Sequence, residues 1–286
     1  MAPLRSQPSD PTKDTIDERL SATRTLPFTA SAASATIVLP GSGNISSEAS
    51  PMMLSTKRGI AYNNAKLANV FSDSCETCSW GYNWDSTPQG LAPNLTFIPT
   101  LWGALPTHTS HWHVDAENAI ANGAKALFSF NEPDNAGQAN MSPEAAASAH
   151  IKHFSNYAGR ARIGAPSITN AEAATQGLGW LKSFMNACRG ECPVDFCNVH
   201  WYAGAEQAGS LFDHLDGAHD VCGGKPIWLT EFAVLSGDSI SFIQNVLPKL
   251  ESLPHLEAYS YYMVSTSSLM ASEKVLSGTG ELYAKI

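Results

Sequence analysis

The sequence predicts a (β/α)8 barrel, an α/β fold of the TIM type whose outer ring of helices is incomplete. Three observations carry the prediction. Strand-like and helix-like stretches alternate about eight times between residue 57 and the C-terminus, the count of a closed parallel barrel. The central strand-like stretches are nearly continuous apolar runs, as strands covered on both faces require. Two of those runs, at 126–130 and 226–230, lead directly into a glutamate, Glu132 after Asn131 in the first and Glu231 in the second. Pro133 cannot continue a central strand, so the first run ends at a carboxylate on the C-terminal lip of the sheet. An open doubly wound sheet would accept the same alternation, but no GxGxxG or GxxxxGK[ST] supports a nucleotide-binding version.

The elements follow in order. Residues 1–55, rich in Ser, Thr, Ala and Pro without periodicity, read as a linker-like tail, and 56–286 as the barrel domain. The first strand spans 58–62, and a helical pattern covers 65–71. SWGYNW at 79–84 alternates large rings with small or polar residues as the second strand. LTFIPTLW at 95–102 is the third, bent at Pro99. Asp115 is placed to cap a helix that stops at Gly123. After the fourth strand, Ser142-Pro143 opens a helix with proline at its favoured first position. Strands follow at 162–165, 194–202, 227–231 and 257–264, separated by helices at 179–188, 211–221 and 239–250, the last kinked or ended near Pro248. The connections after strands two and eight look too short for helices.

Composition narrows the function. A net charge of −9 with a pI near 5.4 leaves no basic face for nucleic acid or an anionic membrane. No apolar run approaches the roughly 20 residues that span a bilayer. The polar, acidic N-terminus shows no signal peptide, whereas six cysteines and acceptor triplets at Asn44, Asn94 and Asn140 favour secretion or a cell-wall location. Six cysteines allow 15 pairings, among which the sequence does not choose. His108, His111 and His113 share no regular face, so no metal site and no cofactor are expected.

Glu132 and Glu231 lie 99 positions apart, so only the fold can bring them together. Two carboxylates across a barrel mouth are the pair that cleaves glycosidic bonds. The ordered set RGIAYNN (58–64), SWGYNW (79–84), FIPTLWG (97–103), FNEPD (130–134), APSIT (165–169), DFCNVHWY (195–202) and WLTEFA (228–233) resembles glycoside hydrolase family 128. These are clan A retaining enzymes, predominantly β-1,3-glucanases. The resemblance covers roughly residues 57–286.

The resemblance implies a double displacement on β-1,3-glucan. A monomer directed at the fungal cell wall and working without a cofactor is expected, endo-acting in first place, with an exo mode left open because the loops that close a groove into a pocket have no readable signature. Glu231 would be the nucleophile, and Glu132 the acid/base with a raised pKa. Asn131 would bind the sugar 2-OH, and His200 or Tyr202 would hydrogen-bond Glu231 or the sugar. Trp80, Trp84, Trp102, Trp201 and Tyr262 are candidate sugar platforms, with Tyr62 and Asn63 as donors from strand one. Trp112 is placed in a loop that could cover the groove, and Trp228 reads as core. The alternative is a barrel that binds β-1,3-glucan without hydrolysing it.

Overall fold

The computed structural model describes residues 54–286. The expected tail and the Asn44 triplet lie outside the described residues, apart from positions 54 and 55. Eight parallel strands form the circuit: β1 (Arg58–Tyr62), β2 (Cys78–Tyr82), β3 (Thr96–Phe97), β4 (Ala126–Leu127), β5 (Arg162–Ile163), β6 (Cys197–Gly204), β7 (Ile227–Ser236) and β8 (Leu256–Val264). Continuous ladders run β3-β2-β1-β8-β7-β6, and β4 pairs with β5. Isolated parallel bridges span the two remaining gaps, Thr100 to Phe128 in one and Gly164 to Phe196 and Ile168 to Val199 in the other. The circuit is therefore barrel-like, with its regular half on the side of the nucleophile candidate.

The strands on the irregular side are shorter than the apolar runs suggested. Pro99 and Pro166 each lack an N–H for the ladder, and Glu132 has φ 41°, which ends β-pairing beyond strand four. Longer apolar runs persist there as extended chain joined by isolated bridges.

Outside the sheet lie α1 (Ala65–Ser72), α2 (Pro106–Thr109), α3 (Trp112–Ala121), α4 (Pro143–Phe154), α5 (Gly177–Cys188), α6 (Ala208–Val221), α7 (Ser239–Ser252) and α8 (Gly278–Lys285). Ser142 caps α4 with proline next, as read from sequence. Asp115 does not cap α3: the helix begins three residues earlier, and Asp115 sits in its first turn, bonded to His111 and Ser86. Trp112 is consequently buried against Phe154 and not over a groove. The α7 helix continues through Pro248 to Ser252.

Only the β2–β3 connection lacks a helix. After β8 the chain forms the hairpin β9 (Met270–Ser272) and β10 (Val275–Leu276), then α8. That helix is bound into the base of the fold. Tyr283 donates its hydroxyl to the Gly59 carbonyl, and Arg58 donates to the Tyr283 carbonyl, the Tyr259 hydroxyl and the Glu251 carboxylate. The short polar sequence after strand eight hides this helix, because it is held by the Arg58 contacts and by burial of Tyr283 and Ala284 against distant parts of the core, not by a long apolar stripe of its own.

Two cores result. The larger lies between sheet and helices, and the smaller fills the barrel interior with Ala61, Trp80, Tyr82, Ile98, Ala126, Phe128, Phe196, Trp228 and Ala258. The six cysteines pair as Cys75–Cys78, Cys188–Cys192 and Cys197–Cys222. Asn94 and Asn140 are exposed.

Trp80 packs so tightly in the interior that a Cβ on Gly59 would lie 2.1 Å from its indole ring. Gly59→Ala is expected to lower unfolding stability by about 1–3 kcal/mol through overpacking. Chemical denaturation would show this as a lower midpoint, and an unchanged midpoint would contradict the packing described.

Candidate active site

The period of two along each strand selects the residues that reach the interior. On the second strand Trp80, Tyr82 and Trp84 fall on one face at successive depths. Trp80 lies at the bottom of the interior, its indole N–H donating to the Lys57 carbonyl 3.1 Å away. Tyr82 lies above it, and Trp84 is half-buried at the mouth. On β6, Asn198, His200 and Tyr202 face inward. Trp201 faces out, stacked on Phe242 of α7 with its N–H on the Ser210 hydroxyl. Trp80 and Trp201 are therefore packing residues and not sugar platforms. Tyr62 is likewise fully buried in the outer core and donates to the Pro88 carbonyl, which removes it from the groove.

Glu132 and Glu231 do converge. Both are buried, and His200 lies between them, its Nδ1 3.0 Å from Glu132 Oε1 and its Nε2 3.4 Å from Glu231 Oε1. One donor atom from each of the three residues falls within 4.8 Å of the other two, the one such group among the described residues close enough to share a cation. Trp84 Nε1 donates to Glu231 Oε1 at 2.6 Å, and Tyr202 donates its hydroxyl to Oε2. Tyr82 donates to the Thr230 carbonyl at 3.0 Å and stands 3.4 Å from Glu231 Oε1. These donors satisfy the Glu231 carboxylate with protein groups.

The backbone at Glu132 is left-handed, a conformation that costs a non-glycine residue about 1–3 kcal/mol. The residues after it hold that turn. Asp134 accepts from the Thr169 hydroxyl and amide and from the Gly177 amide at the start of α5. The Glu132 amide donates to the Ser167 carbonyl at 2.8 Å. Asn135 donates to Glu132 Oε2 at 3.2 Å.

Electrostatics separate the two carboxyls. Burial pushes Glu231 up and the neighbouring Glu132 adds to this, against the donors from His200, Tyr202 and Trp84. Burial also raises Glu132, but the hydrogen bond and charge of a protonated His200 outweigh it and hold Glu132 below its usual range. The expected rise at Glu132 thus fails while His200 carries its second proton. Burial lowers His200, and the two carboxylates overcome this to raise it. Burial holds Tyr82 and Tyr202 well above the usual phenol range, so both remain donors.

Around this centre, Trp84 and Tyr262 meet edge to face at 5.7 Å, and Tyr202 and Tyr262 at 5.5 Å. Asn63 is exposed at the end of β1, its amide 3.5 Å from the Met263 sulfur. Asn131 is buried beside Glu132, donating to Gln138 at 3.3 Å. Trp102 packs on His108, ring centroids 5.1 Å apart. His111 bonds Asp115 and His113 bonds Tyr157, so the three histidines do not gather on one site. Tyr82, Thr230, Asn198, Asp134 and Asn135 went unrecognised in the sequence. Tyr82 and Asn198 were recoverable from the period of two that selects Trp84 and His200.

The model of the glycosyl hydrolase catalytic core family matches residues 59–284. An exo-β-1,3-glucanase of glycoside hydrolase family 128, subgroup III, from Blastomyces gilchristii, crystallised with glucose, is 39% identical. Its alignment covers 80% of this chain and 98% of that one, with a TM-score of 0.75. The chain belongs to glycoside hydrolase family 128. A subgroup I endo-β-1,3-glucanase of the family from Amycolatopsis mediterranei, crystallised with laminarihexaose, is 29% identical. It covers 80% of this chain and 98% of that one, with a TM-score of 0.68. Alkali-sensitive linkage protein 1 of Schizosaccharomyces pombe is 28% identical over 80% of this chain, which spans only 44% of the length of that curated relative.

A carboxyl whose folded pKa is raised loses stability as pH climbs past its unfolded value, because the folded state then holds the extra proton. Glu231→Gln removes that burden. The variant's melting temperature relative to the wild type is expected to be higher at pH 7 than at pH 4, read by thermal unfolding at both. A pH-independent or inverted difference would contradict the raised Glu231.

Proposed function

We propose that this chain hydrolyses β-1,3-glucan with retention of anomeric configuration, Glu231 acting as nucleophile and Glu132 as acid/base. The observation that carries the reading is the pairing of two buried carboxyls, with oxygens no more than 4.8 Å apart, across one imidazole. Carboxyl groups roughly 5–5.5 Å apart leave no room for the water of an inverting reaction, which needs about 6.5–9.5 Å. The β-1,3-glucan specificity rests on the relatives, whose subgroup I member is crystallised with a laminari-oligosaccharide.

The chain's own groups suit the steps. Glu231, ionised, attacks the anomeric carbon as the bond to the leaving oxygen breaks, and Glu132 gives that oxygen its proton. Water then enters, Glu132 takes its proton, and the water oxygen displaces Glu231. Trp84 and Tyr202 direct two donors at the Glu231 carboxylate, fixing its orientation and favouring the charged nucleophile. Neutral His200 removes the hydrogen bond and the charge with which it lowers Glu132, leaving the Asn135 donor, and so favours Glu132 holding the acid's proton. Asn131 is the candidate for the sugar 2-OH. Trp84, Tyr262 and Trp102, all half-buried at the mouth, are candidate platforms for sugar rings.

An endo mode is the reading taken from sequence. The 39% identical relative is exo-acting, so the product pattern on laminari-oligosaccharides decides between the modes. Non-hydrolytic binding is the second reading, and the intact, hydrogen-bonded carboxyl pair speaks against it.

Glu132→Gln and Glu231→Gln are each expected to lower release of reducing sugar from laminarin at least a thousandfold while laminari-oligosaccharide binding survives. Reducing-end assays and calorimetry check this. Wild-type activity in either variant, or wild-type protein that binds laminarin and releases no sugar, would overturn the proposal.

A further inference from the structure

His200 has its two ring nitrogens on different duties, and the groups behind it determine which one carries hydrogen. Nδ1 faces Glu132 Oε1. Nε2 lies 3.1 Å from the Thr230 hydroxyl and 3.4 Å from Glu231 Oε1. The Thr230 hydroxyl in turn donates to Asn198 Oδ1 at 2.6 Å, an oxygen that only accepts. With its single proton committed there, Thr230 offers His200 a lone pair, and ionised Glu231 offers another. Nε2 therefore carries a hydrogen in either protonation state of the ring. Asn198, Thr230 and His200 are all buried, and Thr230 is completely so, which shields the chain of bonds from water.

We propose that Thr230, aligned by Asn198, is a positioning residue that holds neutral His200 in its Nε2–H form, so that the Nδ1 lone pair faces Glu132 and favours the protonated carboxyl. The inference rests on the reading of Glu132 as acid/base. With Nε2–H fixed, a neutral ring satisfies the contact to Glu132 only if the carboxyl itself brings the hydrogen. When the leaving oxygen takes that proton, the bond to the anomeric carbon breaks and a Glu132 carboxylate is left against a lone pair at hydrogen-bond distance. That contact is repulsive, so the carboxylate is made more basic at the stage where it must remove a proton from water. The opposite tautomer, Nδ1–H, would stabilise the carboxylate and weaken both steps. The titratable or charged groups set against His200 are Glu132 and Asp134 after β4, Glu231 on β7 and His214 on α6. Burial lowers His214 to about 4, which leaves it neutral at working pH.

The experiment is ring-nitrogen NMR of His200 in 15N-histidine-labelled wild type, Thr230→Val and Thr230→Ser, with pH profiles on laminarin. At a pH above the raised His200 titration, where the ring is neutral, the wild type is expected to show a protonated Nε2 and an unprotonated, hydrogen-bonded Nδ1. Thr230→Val should shift the ring towards Nδ1–H, lower kcat about tenfold with little change in KM, and move the alkaline limb of kcat to lower pH as Glu132 loses its proton sooner. Thr230→Ser, which restores the hydroxyl, should recover the tautomer and the limb. A neutral Nδ1–H ring in the wild type, or a Thr230→Val ring and pH limb identical to wild type, would overturn the proposal. The tautomer is read without turnover, so a chain that cleaves no glucan would count against the hydrolase reading while the NMR still judged Thr230.

Discussion

The site depends on keeping two carboxyl groups together in a place from which water has been removed. Each is buried and each would repel the other if both were ionised, so the arrangement needs a partner that meets both. His200 is that partner, with one nitrogen towards each glutamate, and its own burial is tolerable because the two acids attract its charge. The remaining polar groups add direction. Trp84 and Tyr202 act on Glu231, and Asn135 on Glu132, so the two acids occupy different surroundings although they are the same residue type.

The fold supplies this partner through strand periodicity. His200 and Tyr202 alternate with Trp201 on β6, and Trp80, Tyr82 and Trp84 rise through the interior on the second strand, so interior packing leads without a break into the chemistry at the mouth. On the irregular side the chain places Glu132 by a left-handed turn and not by a ladder. Asp134 holds that turn through three donors from the next connection.

Much of this was legible in the sequence. The apolar runs that end at Glu132 and Glu231 marked the strands, and their arrival at one mouth is what a parallel barrel requires. Trp201 was misassigned because a tryptophan between two site residues looks like a platform until the alternation of the strand is applied. Trp80 shares the inward face of Trp84 but lies four positions deeper, and depth is not written in residue type. The α8 helix was missed because Arg58, more than 200 positions away, holds it in place. The left-handed backbone at Glu132 and the route Asn198–Thr230–His200 depend on tertiary contacts that no local pattern records.

The central claim is that Glu231, poised by its donors beside a proton-bearing partner, bonds covalently to the sugar. Mass spectrometry after incubation with a 2-deoxy-2-fluoro laminaribiosyl fluoride tests it most directly. The account predicts stoichiometric inactivation with one glycosyl adduct on the peptide that contains Glu231, and none on Glu132. Turnover without an adduct and with an inverted product, or labelling at a different carboxyl, would contradict it.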